Sequence, residues 1–446
     1  MRFHTNTAPL NPLRALIRDS IRCDEASLVT ALAAQAELNQ ASKDRVSAQA
    51  MTLTQNARTA AQTGSSIQNL LNEYSLSTQE GIVLMCLAEA LLRVPDKTTA
   101  DRLIRDKLLS GDWQAHIGNS DSLFVNSSAW GLLISGQVAG FNREEQNKNL
   151  SAVKKTIGKI GEPIIRKAMR QAMGIMGTQF VLGRSIEEAG KKALKQESKG
   201  YCYSYDMLGE AARTMADAQD YFDSYKMAID HIGQHAEGKG IYRGAGISVK
   251  LSALHPRYEV AQHQRVLTEL APQLKTLALL AKQYDIGLTV DAEECERLDL
   301  SLDIIETVFA DTDLEGWEGF GVVVQAYQKR ALPTLNFLID LSNRVGRKMM
   351  LRLVKGAYWD SEIKQAQIDG LEGYPVFTRK ASTDVSYQAC AGLLLDKRQT
   401  IYPQFATHNA YTVAYVLERA QNLNGFEFQR LHGMGDGLYD DIMNTL

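Results

Sequence analysis

The sequence of 446 residues has few cysteines, and they follow no pattern. Its five cysteines are scattered along the whole chain without the spacing that zinc ligands require. An odd, dispersed set predicts reduced thiols in a cytosolic protein, because a disulfide framework needs paired cysteines. A structural zinc site and a disulfide-rich secreted fold are therefore excluded. The five are Cys23, Cys86, Cys202, Cys295 and Cys390.

Long apolar runs are also missing. The longest, Ile82 to Leu92 and Ala129 to Phe141, are too short to span a bilayer. The first residues have no continuous apolar core, so they do not look like a signal peptide. Any contact with a membrane is therefore expected to be peripheral. A net charge of −3 gives no support to binding of nucleic acid through bulk charge.

Several catalytic motifs are absent as well. The chain contains no P-loop, no Gly-x-Ser-x-Gly turn and no glycine-rich dinucleotide turn after its first predicted strand. These absences argue against P-loop nucleotide hydrolysis, α/β-hydrolase chemistry and a dinucleotide site of the Rossmann type.

The first 180 residues contain helical patterns only. Residues 1–60 place Leu13, Ile17 and Ile21 at helical spacing and predict one or two long helices. These helices have too little apolar surface to fold alone, so we expect an arm that wraps the rest of the molecule or a partner subunit. Residues 61–180 predict a distinct helical accessory domain.

Short β-rich runs alternate with helices from residue 181 to residue 446. Ser185 and Glu188 form a capping box at the start of this region. The alternation predicts parallel buried strands, in a doubly wound sheet or a (β/α)8 barrel of the TIM type. The barrel is favoured because nearly every predicted strand ends in polar residues. The strands are Tyr201–Met207, Gly246–Ser252, Gly287–Glu293, Gly319–Tyr327, Lys348–Tyr358, Ile401–Asn409 and Phe426–Gly433.

Seven strands are one fewer than this barrel needs. The last βα unit is not found in the sequence, so we expect an incomplete barrel with two unpaired strand edges.

The run from Lys348 to Asp360, KMMLRLVKGAYWD, is the centre of this region. It begins as a buried strand that contains one charge, Arg352, which needs a partner in the protein or in a ligand. Gly356 then allows the backbone to approach something bulky, and Tyr358 adds an aromatic face. The sequence leaves two interpretations of Arg352 open, a structural ion pair and a ligand-binding site.

Other strand ends carry polar groups of the same kind. Lys250 and Asp291 follow neighbouring strands, and either an ion pair between them or a ligand site explains them. Gln325 can both donate and accept hydrogen bonds at a planar heterocycle. A strand-end lysine such as Lys250 can also form a Schiff base, so a lyase is an alternative. The amide and aromatic surface instead favours a large planar cofactor, with cations for its phosphates.

Seven sequence motifs carry the clearest signal: SVKLSALHPRYE, VDAEECERL, VVVQAYQKR, LRLVKGAYWDSEIK, GYPVFTRK, FATHNAYT and FEFQRLHGM. Together, these motifs resemble the proline dehydrogenase domain of the bacterial bifunctional flavoenzymes of the proline utilization A family. The resemblance covers residues 180–446 closely, and the region before them fits that family's arm and dimerisation domain more loosely.

The resemblance implies FAD-dependent oxidation of L-proline to Δ1-pyrroline-5-carboxylate, with electrons passed to a membrane quinone. It implies a cytoplasmic homo-oligomer that associates peripherally with the inner membrane. Arg352, Lys250, Asp291 and Tyr358 would be catalytic, and Lys250, Tyr358 and Leu431 would contact proline. The residues implied in cofactor binding are Gln325, Arg352, Val354, Lys355, Gly356, Ala357, Trp359, Arg379, Lys380, Thr407, His408, Asn409 and Gln429.

The chain departs from the family pattern in three ways. It ends before the eighth barrel helix, which in the family carries two adjacent arginines for the substrate carboxylate. It lacks the aldehyde dehydrogenase half, and no DNA-binding module is seen at its N-terminus. We therefore expect a piece of a longer enzyme, with an inactive fragment that acts through its helical domain as the alternative.

Overall fold

The computed structural model describes residues 11–63 and 181–445 of the chain. The chain divides into two compact units. The first contains residues 1–56, 184–430 and 438–446, and the second contains residues 57–183 and 431–437. The predicted accessory domain lies, from residue 64 onward, outside the described residues. The boundaries predicted for the three segments stay predictions.

Seven parallel strands form one sheet in the order in which they occur along the chain. The predicted barrel-like α/β fold and all seven predicted strands are therefore confirmed, and each strand is shorter than predicted. Within the described residues, β1 and β7 are the edges of the sheet. The strands are β1 Ser204–Asp206, β2 Gly246–Val249, β3 Leu288–Val290, β4 Phe320–Gln325, β5 Met349–Val354, β6 Ile401–Ala406 and β7 Glu427–Gln429.

The inner strands β2 to β6 are held by burial on both faces, as their apolar runs predicted, whereas β1 and β7 are at most partly buried. Leu288, Leu351 and Leu353 are fully buried in the main hydrophobic core, together with residues from the helices that cover the sheet. The register places Val323 opposite Arg352 and Gln325 opposite Val354. Because all strands run the same way, their carboxyl ends lie on one edge of the sheet.

Helices connect the strands and precede them. Ser185 caps the first helix after residue 181, and its hydroxyl accepts the backbone N–H of Glu188, which confirms the predicted start. The helices are α1 Pro12–Asp19, α2 Glu25–Ala36, α3 Gln40–Thr63, α4 Ile186–Glu197, α5 Met215–Gln234, α6 Gly240–Arg243, α7 Leu251–Leu254, α8 His263–Gln283, α9 Leu298–Phe309, α10 Ala331–Val345, α11 Trp359–Ile368, α12 Lys380–Asp396, α13 Ala410–Ala420 and α14 Asp436–Thr445.

Two predicted strand ends are wrong in detail. Tyr358, the last residue of the predicted strand, does not belong to β5, because the backbone turns at Gly356, where φ is +144°, and Trp359 begins α11. Lys250 does not lie within β2 but directly after it, as the residue that precedes the one-turn helix α7. In both places the polar side chain lies beyond the strand, at the carboxyl edge of the sheet.

The described part of the N-terminal arm, from residue 11 onward, contains three helices, where one or two were predicted. Its first two helices pack on the chain's own barrel. Ile17 of α1 is fully buried, and Arg14 lies over the ring of Phe337 of α10, 5.1 Å from its centroid. Leu32 and Ala36 of α2 pack with other buried residues of the barrel region. Of the two alternatives left open by the sequence, the described contacts therefore support wrapping of the same molecule.

Charged groups fasten α1 to the barrel. The guanidinium of Arg14 lies 2.8 Å from Asp303, and that of Arg18 lies 3.2 Å from Asp299. Asp299 also pairs with the buried Arg330, at 3.0 Å. One carboxylate thus joins the arm to a buried cation of the barrel.

No helix in the described part of the chain is both long and apolar enough to cross a membrane.

Candidate active site

Lys250 lies between two carboxylates at the ends of neighbouring strands. Its Nζ is 2.8 Å and 3.0 Å from the two oxygens of Asp206 and 3.0 Å from Oδ2 of Asp291. Burial lowers the pKa of Lys250, but the charges of Asp291 and Asp206 outweigh it and raise that pKa above its usual value. The amine therefore keeps its proton, which disfavours a Schiff-base role because that chemistry requires a neutral amine.

Arg352 has the partner that its position in a buried strand requires. Its Nη1 donates to Asp291 at 3.1 Å and to the hydroxyl of Ser248 at 3.0 Å. Its Nη2 donates to Ser204 at 3.0 Å, and its Nε donates to the amide oxygen of Gln429 at 2.6 Å. Asp291 therefore joins Arg352 and Lys250 in one network, as a structural ion pair predicts, and the second N–H of Nη2 has no acceptor among the described residues.

The backbone after β5 makes the close approach that Gly356 predicted. A Cβ added at Gly356 would lie 2.3 Å from the ring of Tyr327, so the bulky neighbour is this buried tyrosine. Gln325 fixes the next residue, because its amide oxygen accepts the N–H of Ala357 at 3.2 Å. Its Nε2 donates to the carbonyl of Glu293 at 2.9 Å. Gln325 thus shapes this edge from inside the protein.

We expect Gly356→Ala to destabilise the protein in two ways, through strain in the backbone and through a steric clash. A side chain at positive φ costs about 1–3 kcal/mol, and the clash with Tyr327 adds to it. Gly346→Ala is the matched control, because Gly346 also has positive φ, +69°, but nothing lies within 4 Å of its added Cβ. Urea unfolding should show a larger loss of unfolding free energy for Gly356→Ala. Equal losses would show that the contact with Tyr327 relaxes freely.

Tyr358 and Trp359 stand where β5 turns into α11. The indole Nε1 of Trp359 donates to the carbonyl of Phe377 at 2.8 Å, and the side chain stays 42% exposed. Burial raises the pKa of the Tyr358 hydroxyl above its usual value. Ala357 is exposed and Val354 is partly exposed, so this turn offers small residues and an open aromatic face.

A second group of cations surrounds the start of α12. Lys355 and Lys380 each donate to Asp384, both at 2.6 Å, and Arg379 precedes the helix without a side-chain cap. Burial, together with the charge of Lys380, lowers the pKa of Lys355 against the opposing effect of Asp384. An uncapped helix N-terminus with three nearby cations is a place where phosphate groups bind.

The arm reaches this place. The carboxylate of Glu25, at the start of α2, accepts the N–H of Thr378 at 3.0 Å and its hydroxyl at 3.1 Å. Thr378 directly precedes Arg379, so the arm contributes to the position of the predicted phosphate-binding residues.

Two of the predicted cofactor-binding residues after β6, Thr407 and Asn409, make hydrogen bonds within the protein. The side chain of Asn409 accepts the N–H of Thr412 at 2.9 Å and caps α13. The carbonyl of Thr407 accepts the hydroxyl of Tyr439 at 2.8 Å. Burial, aided by the charge of Arg430, lowers the pKa of His408, so its ring is neutral at neutral pH.

Leu431 is assigned to the second unit, whereas the other predicted site residues are assigned to the first. Its predicted contact with proline stays a prediction, as do the individual roles of all the site residues. Sequence reasoning missed Asp206, Glu293, Asp384 and Glu427. Asp206 could have been found, because it ends β1 by the same rule that singled out Asp291 at the end of β3.

The arrangement fits a flavin dinucleotide. The cations at α12 suit its phosphates, and the open backbone at Gly356 and Ala357, with the indole of Trp359, suits a planar ring system. The spare N–H of Arg352 offers a donor to that ring system. Among the described residues, no group of three His, Cys, Asp or Glu residues could hold a metal ion.

Comparison with known families shows three matches along the chain. A family model described as proline dehydrogenase matches residues 189–445. The N-terminal domain of proline utilization A proline dehydrogenase matches residues 11–58. A model described as the DNA-binding domain of proline dehydrogenase matches residues 66–180. The expectation that the chain has no DNA-binding module is at odds with this last match and is corrected here.

Individual relatives agree with these matches. The bifunctional protein PutA of Escherichia coli is 54% identical over 447 residues, which are 99% of this chain and 34% of that protein. Proline dehydrogenase 1 of Bacillus subtilis is 30% identical over 261 residues, 57% of this chain and 74% of that protein. A solved mutant of proline utilization A from Bradyrhizobium japonicum superposes with a TM-score of 0.71 at 47% identity, covering 95% of this chain and 42% of that one. The chain thus spans about a third of the length of the PutA relatives that it matches.

Proposed function

The chain belongs to the proline dehydrogenase family, and we propose that it binds FAD and oxidises L-proline to Δ1-pyrroline-5-carboxylate. Electrons would then pass to a quinone, in the first step of proline catabolism. The observation that carries the proposal is the network of Lys250, Asp291 and Arg352 beside the open backbone at Gly356.

The residues of this network suit a zwitterionic amino acid. Lys250 keeps its charge and would bind the proline carboxylate. Asp291 holds Lys250 and Arg352 in place, and Tyr358 would pack against the proline ring. Proline becomes the imine by losing two electrons and two protons, and the bound flavin supplies the two-electron acceptor. Arg352 would remain positive where negative charge develops, as electrostatic stabilisation requires. The other cofactor contacts would come from Gln325, from Val354 and Lys355 to Trp359, from Arg379 and Lys380, and from Thr407 to Asn409 with Gln429.

We also infer where such an enzyme would work. A quinone acceptor dissolves in lipid, so a cytoplasmic homo-oligomer that visits the inner membrane peripherally would suit this chemistry. The protein should float together with vesicles that contain quinone, and protein that stays behind in the flotation gradient would contradict this inference.

Purified protein should show flavin absorbance after incubation with FAD, and L-proline should bleach that absorbance under anaerobic conditions.

Lys250→Met should weaken proline binding about tenfold to a hundredfold, because it removes one partner of a desolvated charge pair. The dependence of the bleaching rate on proline concentration measures this loss. Lys226→Met is the control, since Lys226 lies over the ring of Phe222 on α5, away from the network.

Two results would contradict the proposal. Protein that takes up no FAD has no cofactor for this reaction. An adduct on Lys250, trapped by borohydride with a carbonyl substrate and found by mass spectrometry, would instead establish the lyase.

A further inference from the structure

A glutamate that the proposed reaction does not use lies on β7, two residues before Gln429. Oε1 of Glu427 accepts from Nε2 of Gln429 at 2.7 Å and from Nε2 of Gln404 at 2.9 Å. The hydroxyl of Tyr402 lies 3.4 Å from Oε2. The residue as a whole is partly exposed, but these donors surround its carboxyl group. Burial raises the pKa of Glu427, although the hydrogen bonds and the charge of Arg352 oppose that shift.

The contact with Glu427 decides which way the amide of Gln429 faces. An amide has one accepting and one donating side. With its Nε2 on Glu427, Gln429 presents its Oε1 to Nε of Arg352, at 2.6 Å. A flipped amide would place N–H against N–H at Arg352 and oxygen against oxygen at Glu427. The orientation is therefore fixed from both sides, and Glu427 holds the end of the amide that faces away from Arg352.

The amide in turn limits how the guanidinium of Arg352 can move. Gln429 is the acceptor of the Nε proton, whereas Ser248, Asp291 and Ser204 hold the two terminal nitrogens. Asp291 accepts from Arg352 through Oδ1 and from Lys250 through Oδ2. Among the described residues, Gln429 is the one acceptor that fixes the Nε side.

We propose that Glu427 is a positioning residue that acts through Gln429 to fix the guanidinium of Arg352. The inference rests on the proposed function, because it concerns the electrostatics that Arg352 presents to the flavin. Glu427 acts as a hydrogen-bond acceptor in this scheme, and its negative charge is not required.

The test uses FAD-loaded protein and four variants, with a fifth variant as the control. Glu427→Ala should lower the proline-dependent rate of flavin reduction about tenfold, as the loss of one buried hydrogen bond predicts. It should also make the midpoint potential of the flavin more negative and change its visible circular dichroism. Glu427→Gln should restore all three, since its amide oxygen still accepts. Gln429→Met should reproduce Glu427→Ala, and the double variant should be no slower than either single one.

Tyr402→Phe is the matched control, because it removes a neighbour of Glu427 that does not touch Gln429. We expect its rate, potential and spectrum to equal those of the unaltered protein. Should Glu427→Ala fail to fold, Glu427→Met takes its place, because it keeps the volume of the side chain without its acceptor.

Several outcomes overturn the inference. A folded Glu427→Ala with unchanged potential, spectrum and rate shows that Glu427 does not act on Arg352. Multiplicative effects in the double variant mean that Glu427 does not act through Gln429. If Glu427→Gln is as impaired as Glu427→Ala, the charge matters and orientation does not. Unaltered protein that proline cannot reduce would instead count against the proposed function itself.

Discussion

Arg352→Met should slow the proline-dependent reduction of bound flavin by a factor of about a hundred to a thousand while FAD stays bound. Removing one preorganised donor from a dry site costs about 3–4 kcal/mol at the barrier. Arg352 makes four hydrogen bonds inside the protein, to Gln429, Ser248, Asp291 and Ser204. Its charge is therefore held in place before the reaction begins. Stopped-flow bleaching at saturating proline measures the rate, and flavin absorbance measures occupancy.

Two further variants separate charge from geometry. Arg352→Lys keeps the charge but has three donors on a flexible stem, so it cannot replace a planar fork with four acceptors, and we expect an intermediate rate. Arg344→Met removes a largely exposed arginine of α10 and should change nothing. Normal reduction by Arg352→Met would show that the arginine is only a structural partner of Asp291.

The strands and their polar ends could be predicted because both follow from local pattern. Buried parallel strands are continuous apolar runs, and a charge such as Arg352 inside one has few places to go. The same rule located Lys250 and Asp291 without any knowledge of which strands are neighbours. The order of the sheet then brought them together.

The contacts among these groups could not be predicted, because they depend on distances across the fold. Glu427 looks like an ordinary strand residue until Gln404, from another strand, is seen to donate to it. Glu25 lies more than 350 positions before Thr378, and no local pattern joins them. The sequence also suggested one or two helices for the arm, because helical spacing does not show where a cap such as Asp24 interrupts it.

The arm shows that an apolar stripe in the sequence predicts burial but does not identify the surface against which it is buried. Its narrow stripe predicted burial against either the same molecule or another subunit. The structure buries Ile17 and Leu32 against the barrel of the same chain. The carboxylate of Asp299 pairs with cations of both the arm and the barrel, so we expect it to contribute to the stability of the protein.

Asp299→Ala should destabilise the protein by about 3–5 kcal/mol, the usual cost of removing one partner of a buried ion pair. Asp299 pairs with Arg330, which is 2% exposed, and with Arg14 and Arg18 of the arm. Without it, the acceptors that Arg330 keeps among the described residues are uncharged, the amide oxygen of Gln328 and the carbonyl of Cys295. Urea unfolding at neutral pH measures the loss. Asp396→Ala is the control, because its pair with Arg419 is largely exposed and such pairs contribute at most about 1 kcal/mol.

Acid should remove the same contribution from the unaltered protein. Burial alone would raise the pKa of Asp299, but the charges of Arg330 and Arg14, with the hydrogen bond and charge of Arg18, bring it below its usual value. Burial lowers the pKa of Arg330, yet a guanidinium stays charged, so Asp299 is the member of the pair that titrates. A carboxyl whose pKa is lower in the folded state stabilises the fold above its unfolded pKa, about 3.9, and loses that effect as pH falls through the folded pKa. The difference in unfolding free energy between the unaltered protein and Asp299→Asn should therefore shrink below about pH 4. A difference that stays constant down to pH 2 would mean that packing around Asp299, and not its charge, joins the arm to the barrel.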